Sequence, residues 1–463
     1  MDFSETDMQA SGAFLVGLSD CGEKVTAAGG RVSTQPGTAM GIWAKSQDEE
    51  KNANLIDKVT RSGHNSVVEH TYFNLVFQNV SAVVEQFVIE FRLASFTVKS
   101  RRYVDFSDAG FYVPQFENAE MAERYKAHMR SFFELYTEFT EAGIQKEDAR
   151  FLLPYCLYSN FFCSVNGREF LHMLRAMLYG RGRKYPEIRA LGEQLLAQAR
   201  ERTPGILHDF EARNENVVTD TPDFSFVSLP QSKPAEASVE LLSYTPDAAK
   251  VVAENALIEY TGCDTATAKA ACADRKTMEQ VLAALLKTSR PRALESASYT
   301  LRYNGVSLSG LTHFTRHRMH SIEIPELIYT DRKKHIIPPA VQENPALLEK
   351  YNAAFERMAA EYEACKAAGV PETDLVYYQL SGTTVDIVST MNARELLLFF
   401  RLRTCTRAQW EIRAHAIEAL RLLREVSPEI FKFYGPSCFA DGKCPEGKFS
   451  CGRMAEMQEV FGE

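Results

Sequence analysis

Apolar and polar positions alternate with a period of two at Phe73, Leu75 and Phe77, with Asn74 between them, and the pattern predicts a strand. The polar stretch 62–70 before it reads as a loop. Asn79-Val80-Ser81 after it reads as a helix start, with Ser81 as the N-cap. That helix is expected to run through Val84, Phe87 and Val88 to Glu90-Phe91-Arg92. Farther on, apolar positions fall three and four apart over 121–141 and 346–368, which predicts two long helices, and 392–426 reads as one longer helical region. Asn166 and Glu169, like Asn392 and Glu395, have the spacing of a capping box, so each pair either starts a helix or touches a ligand. Near the amino terminus 46–59 has helical spacing, and Gly29, Gly30, Pro36 and Gly37 mark turns.

The same pattern occurs twice. Phe73, Leu75 and Phe77 become Tyr299, Leu301 and Tyr303 on a shift of 226 residues. Val80-Ser81 becomes Val306-Ser307, Arg92 becomes Arg318, and Asn166-Gly-Arg168-Glu169 becomes Asn392-Ala-Arg394-Glu395. Glu187-Ile-Arg189 then matches Glu411-Ile-Arg413 at 224. A constant offset that keeps the strand phase argues for internal duplication. The stretch 214–238 is rich in Pro and polar residues and reads as a linker. The expected organisation is a first copy over 1–213, the linker at 214–238, and a second copy over 239–463 with a Cys-containing tail.

Composition narrows the partners. The net charge of -9 disfavours nonspecific nucleic-acid binding, so an anionic ligand needs a local cationic cluster. Arg316-His317-Arg318 is such a cluster, although a helix end complementing its own dipole is the plainer reading of it. There is no run of about 18 apolar residues, so no membrane span is expected. The acidic amino terminus lacks the pattern of a signal peptide, which predicts a cytoplasmic protein with reduced thiols. Cys438, Cys444 and Cys451 lie among Gly and Pro, but their spacing is not that of paired zinc ligands, and no metal site is expected.

These motifs resemble the flavin-dependent (ThyX-type) thymidylate synthases. That family's signature is Arg-His-Arg, seven residues, then Ser, closely followed by Arg-Tyr. The second half carries Arg316-His317-Arg318, Met391-Asn-Ala-Arg-Glu-Leu-Leu and Arg401-Leu-Arg-Thr-Cys-Thr-Arg-Ala-Gln-Trp-Glu-Ile-Arg413. The first half carries Gly63-His64, Glu69-His70, Glu147-Asp-Ala-Arg-Phe-Leu-Leu-Pro154, and Ser100 with Arg102-Tyr103 at the signature distance from Arg92. The resemblance implies an α+β fold, here as two tandem ThyX-like domains with mixed or antiparallel sheets and long helices. It implies homotetramers with active sites between subunits. There FAD stacks on a pyrimidine nucleotide, methylenetetrahydrofolate donates a methyl group to carbon 5 of dUMP, and NADPH supplies electrons.

Neither half matches the whole signature. Glu90-Phe91-Arg92 replaces Arg-His-Arg in the first, while Glu326 and Ile328 stand in the Ser and Arg positions of the second. Val376 replaces Arg150, Met177 replaces Arg403, Arg290 replaces His64 and Leu398 replaces His172. The losses are complementary, and a composite site is expected. By resemblance, Ser100, Arg102, Arg150, Arg316 and Arg403 bind substrate. His64, Ser66, Asn166, Arg168, His172, His317 and Arg318 bind the cofactor. A homodimer of this chain is expected to imitate the tetramer. Thr97-Val98 stands where the family has Asn-Glu, and His313 where it has Gln, so an altered-substrate or catalytically silent binding protein is the alternative.

Overall fold

The computed structural model describes residues 4–6, 8–215, 222–228 and 237–462. The chain divides into two compact units. One takes Met1–Gln231 with Pro338–Ser381, the other Ser232–Ile337 with Gly382–Glu463. Most of the linker read at 214–238 lies outside the described residues.

Each unit contains a four-stranded antiparallel sheet. The first comprises β1 (Gly12–Leu18), β2 (Tyr72–Ser81), β3 (Ala94–Val98) and β4 (Tyr158–Asn166), in the order β1-β2-β4-β3. The second comprises β5 (Ser238–Tyr244), β6 (Ser298–Ser307), β7 (His320–Glu323) and β8 (Thr384–Asn392), in the order β5-β6-β8-β7. The repeat is kept in the register. Phe73 faces Val165 as Tyr299 faces Met391, and the irregularity between Phe77 and Val80 recurs between Tyr303 and Val306. With long helices beside both sheets, the fold is α+β.

The alternation seen in the sequence has a simple cause. Phe73, Leu75 and Phe77 are buried, while Tyr72 and Asn74 on the other face are exposed, as in a sheet with one covered face. Phe73 stacks on Phe170 of the helix Gly167–Leu178 with ring centres 4.2 Å apart. Ser81 caps the helix Ala82–Ile89, its Oγ accepting from Val84 N at 3.2 Å. The buried Glu187 carboxylate in turn accepts from Ser81 N at 2.8 Å and Ser81 Oγ at 2.6 Å. Ser307 repeats this with Glu411, at 2.6 Å for both bonds.

Several expectations need correction. The helix after Ser81 ends at Ile89, short of Arg92. The loop at 62–70 contains a 3-10 helix, Asn65–His70. The region 392–426 is two helices, Ala393–Arg403 and Trp410–Val426, because Gln409 caps the second by accepting from Ile412 N at 3.0 Å. Gly29 and Gly30 lie inside the helix Lys24–Val32. A Cβ at Gly29 would come within 2.8 Å of the His70 ring, so close approach rather than a turn explains this glycine.

The first unit borrows a segment from the second repeat. The helices Ala119–Glu141 and Pro345–Ala367, equivalent in the two repeats, are joined there by Arg124 and Glu361, with two bonds of 2.7 Å. Tyr155 N donates to Gln379 O at 2.8 Å, and Ser381 N donates to Leu153 O at 2.9 Å. Tyr155 corresponds to Ser381 and Leu153 to Gln379, so the contact is reciprocal about a local two-fold axis, as in an isologous subunit interface.

Candidate active site

Beyond β3 the chain makes a tight turn at 100–104, in which Val104 N donates to Ser100 O at 3.0 Å. Ser100 Oγ accepts from Arg102 N at 3.2 Å. Arg102 Nη2 reaches Glu147 Oε2 at 2.8 Å. Arg150 follows the short helix Lys146–Ala149 and is buried, with its Nε donating to Glu147 O at 3.0 Å. Glu147 therefore ties Arg102 by its carboxylate and Arg150 by its carbonyl. The three first-repeat residues expected to hold substrate share one neighbourhood. Two guanidinium groups brought that close favour an anion with fork-matching oxygens, such as a phosphate.

Of the residues expected to hold the cofactor in this repeat, His64, Ser66, Asn166 and Arg168 lie at or beside the 3-10 helix Asn65–His70. His64 and Ser66 line a cavity of about 900 Å³, together with Lys58, Ser62 and His70. Asn166 caps the helix Gly167–Leu178, its Oδ1 accepting from Glu169 N at 2.9 Å. Gly167 packs so closely on the 3-10 helix that a Cβ would stand 2.5 Å from Val68 O. Arg168 Nη1 donates to Glu69 Oε1 at 2.9 Å, with both side chains exposed. His172 lies 3.3 Å from Glu169 Oε2 through Nδ1 and sets its ring edge-on to Phe91.

In the second unit the cationic triplet follows the helix Leu308–Phe314 and alternates in burial. Arg316 and Arg318 are exposed, whereas His317 between them is 3% exposed. Arg403 Nε donates to His317 Nε2 at 3.2 Å, and His317 Nδ1 stands 3.1 Å from Glu395 Oε1. A guanidinium only donates, so Nε2 carries the lone pair and Nδ1 carries the proton that Glu395 accepts. The imidazole is thus held neutral in one tautomer. Asn392 repeats the Asn166 cap at 2.9 Å, and Arg394 pairs with Glu295 as Arg168 pairs with Glu69. A smaller cavity of about 380 Å³ is lined by Glu295, Met319, Asn392, Arg394 and Arg401.

Sequence reading quoted Glu147 within a motif without giving it a role, and it missed Glu395 as the partner of His317. It also passed over Arg101 and Glu85, which form a buried ion pair behind the 100–104 turn. Glu85 did leave a signal: a carboxylate inside the apolar run Ala82-Val-Val-Glu-Gln-Phe-Val-Ile89 requires a buried partner.

Comparison with known proteins accounts for both repeats. The family described as thymidylate synthase complementing protein matches residues 15–205 and again 240–429. The chain belongs to this family. It carries the family domain twice, with the complementary motif losses set out above. The flavin-dependent thymidylate synthase of Geobacter sulfurreducens is 35% identical over 231 residues, which cover 49% of this chain and 98% of the relative. That of Clostridium tetani is 34% identical over 250 residues, covering 50% and 99%. Each relative therefore corresponds to about half of this chain. A solved structure, that of the UMP/dUMP methylase PolB from Streptomyces cacaoi bound with 5-Br dUMP, is similar over 43% of this chain and 94% of that chain, at 23% identity and a TM-score of 0.37. Among the described residues, no helix is long and apolar enough to cross a membrane.

Proposed function

We propose that this chain is an enzyme that methylates a pyrimidine nucleotide at carbon 5, of the dUMP to dTMP type, with methylenetetrahydrofolate as donor and NADPH as reductant. The observation that carries the reading is the convergence of Arg102 and Arg150 on Glu147, with Ser100 bonded to the Arg102 backbone, in a family whose relatives are named flavin-dependent thymidylate synthases. Arg102, Arg150 and Arg403 supply forked donors for the nucleotide phosphate. Ser100 hydrogen-bonds the nucleotide. Arg316 stabilises the negative charge that develops on the pyrimidine as carbon 5 is activated, which is electrostatic catalysis.

The site is composite, with Ser100, Arg102 and Arg150 from the first repeat and Arg316 and Arg403 from the second. A homodimer imitating a four-subunit assembly supplies it. The reciprocal pairing of Glu90 with Glu326 and Ile328 offers a phosphate no cations. FAD is the cofactor. His64, Ser66, Asn166, Arg168 and His172 bind it from the first repeat, and His317 and Arg318 bind it from the second. The cavity beside His64 is within the usual size of a cofactor site, and Lys58, Ser62 and His70 add polar groups to a mostly apolar lining, which suits a flavin nucleotide. When bound, reduced flavin supplies the reducing equivalents, while the protein orients it.

The alternative is a flavin- or nucleotide-binding protein without this activity, favoured by Thr97-Val98 and His313 at positions where the family differs. A flavin absorbance spectrum of the purified protein, followed by tritium release from carbon-5-labelled dUMP and UMP with methylenetetrahydrofolate and NADPH, tests both. Release is expected. Bound flavin without release from either nucleotide refutes methylation and leaves the silent reading. Neither flavin nor nucleotide binding refutes both.

A further inference from the structure

Arg101 stands between Ser100 and Arg102 but faces the interior. It is buried and paired with the Glu85 carboxylate. Ser159 Oγ, on β4, donates to the same carboxylate at 2.6 Å. Such a pair contributes little to stability, because desolvating both charges offsets their attraction. Replacing it with apolar residues of similar size is often neutral or better.

The second repeat carries out that replacement. Glu85, Arg101 and Ser159 correspond to Leu311, Leu327 and Val385, all buried. The sheet order, strand register and Ser–Glu helix cap are nevertheless the same in both repeats. The fold therefore does not need the ion pair. The repeat that has Leu327 is also the one with Glu326 and Ile328 in place of Ser100 and Arg102. The buried charges occur where the surface pair occurs, and both are absent together.

We propose that Glu85 and Arg101 are positioning residues for the nucleotide site: drawing Arg101 inward fixes the 100–104 turn so that Ser100 and Arg102 are presented beside Glu147 and Arg150. A forked guanidinium bonded to a fixed carboxylate admits one orientation of its turn, whereas a leucine in an apolar pocket tolerates several. The inference rests on the reading of Ser100 and Arg102 as nucleotide contacts.

The test is the triple variant Glu85→Leu, Arg101→Leu, Ser159→Val in the full chain, which copies the composition that the second repeat already accommodates. Thermal unfolding, dUMP affinity by calorimetry and amide hydrogen exchange over 99–105 are compared with wild type. The midpoint is expected to stay within about 5 °C. The dUMP Kd is expected to rise about tenfold or more, and exchange to accelerate at 100–104 alone. Wild-type affinity together with wild-type exchange in the turn overturns the proposal. Loss of protection throughout the first unit also overturns it, since the pair would then be structural. If wild type itself does not bind dUMP, the nucleotide reading fails, and exchange in the turn alone still decides the positioning role. Arg101→Lys keeps the charge without the fork, and serves if the triple variant does not fold. Faster exchange in the turn and a Kd between those of wild type and Arg102→Ala support positioning, and no change in either overturns it.

Discussion

The guanidinium of Arg102 is held by the carboxylate of Glu147 at 2.8 Å, and both side chains are mostly buried. The same residue's carbonyl holds Arg150, so Glu147 sets the spacing of two cations. Glu147→Gln keeps the shape and removes the charge. A partly buried pair of this kind contributes about 1 kcal/mol at most, so the fold should survive the substitution. Nucleotide affinity should fall about fivefold as Arg102 loses its anchor. Calorimetry with dUMP checks this. Tighter binding would mean that the carboxylate competes with the phosphate rather than positioning its partners.

His317 is expected to be a neutral imidazole with its proton on Nδ1, since Arg403 occupies Nε2 as a donor and Glu395 accepts from Nδ1. Nitrogen-15 NMR of labelled histidine reads the tautomer directly, and a proton on Nε2 would contradict the geometry. Glu395→Ala leaves a buried N–H without its acceptor, which should cost about 1–3 kcal/mol in a urea titration. Glu395→Gln should recover most of that loss, because its side-chain oxygen still accepts.

The fold was legible wherever burial imposes a period. Phe73, Leu75 and Phe77 announced β2, and the offset of 226 carried the whole sheet into the second repeat. The boundaries were less legible, since side-chain hydrogen bonds set them. Gln409 restarts a helix in a stretch whose composition reads as continuous, and Gly29 answers to the His70 ring rather than to a turn. In the site, the residues that face outward were legible from the family motif. Glu85, Arg101 and Glu395 hold those residues from behind, and their partners lie 16 to 78 positions away, at spacings that no local pattern encodes.

Glu187 gives the chain a pH dependence of definite sign. Burial, opposed by bonds from Ser81 and Tyr377, raises its carboxyl from 4.5 to about 7. The folded state then binds more protons than the unfolded state between those values. This contribution is therefore complete below about 4.5, is lost as pH rises through about 7, and amounts to roughly 3 kcal/mol. Glu187→Gln should remove it. The variant's stability relative to wild type should rise between pH 5 and 8, on the order of 2–3 kcal/mol. Chemical denaturation of both proteins across that range checks it, and a constant difference would mean that Glu187 is ionised throughout.

The proposed composite site predicts an asymmetry between equivalent positions. Arg316 corresponds to Glu90, whose carboxylate pairs with Arg181 at 2.7 Å and accepts from Gln86 at 3.1 Å. That position in the first repeat is thus a charge engaged with its own cation and closed to a phosphate. Arg102→Ala and Arg316→Ala should each cost about 2–5 kcal/mol of nucleotide binding if the site is dry. Glu90→Ala removes the carboxylate partner of Arg181, which still lies over the Phe87 ring, and should cost about 1 kcal/mol of stability or less, with dUMP binding almost unchanged. Glu326→Ala should also leave binding almost unchanged, because it lies in the repeat whose own Ser and Arg are missing. Titrations of the four variants at one ionic strength decide the matter. Equal damage from all four would mean that both combinations bind nucleotide, and the complementary losses would then have no functional meaning.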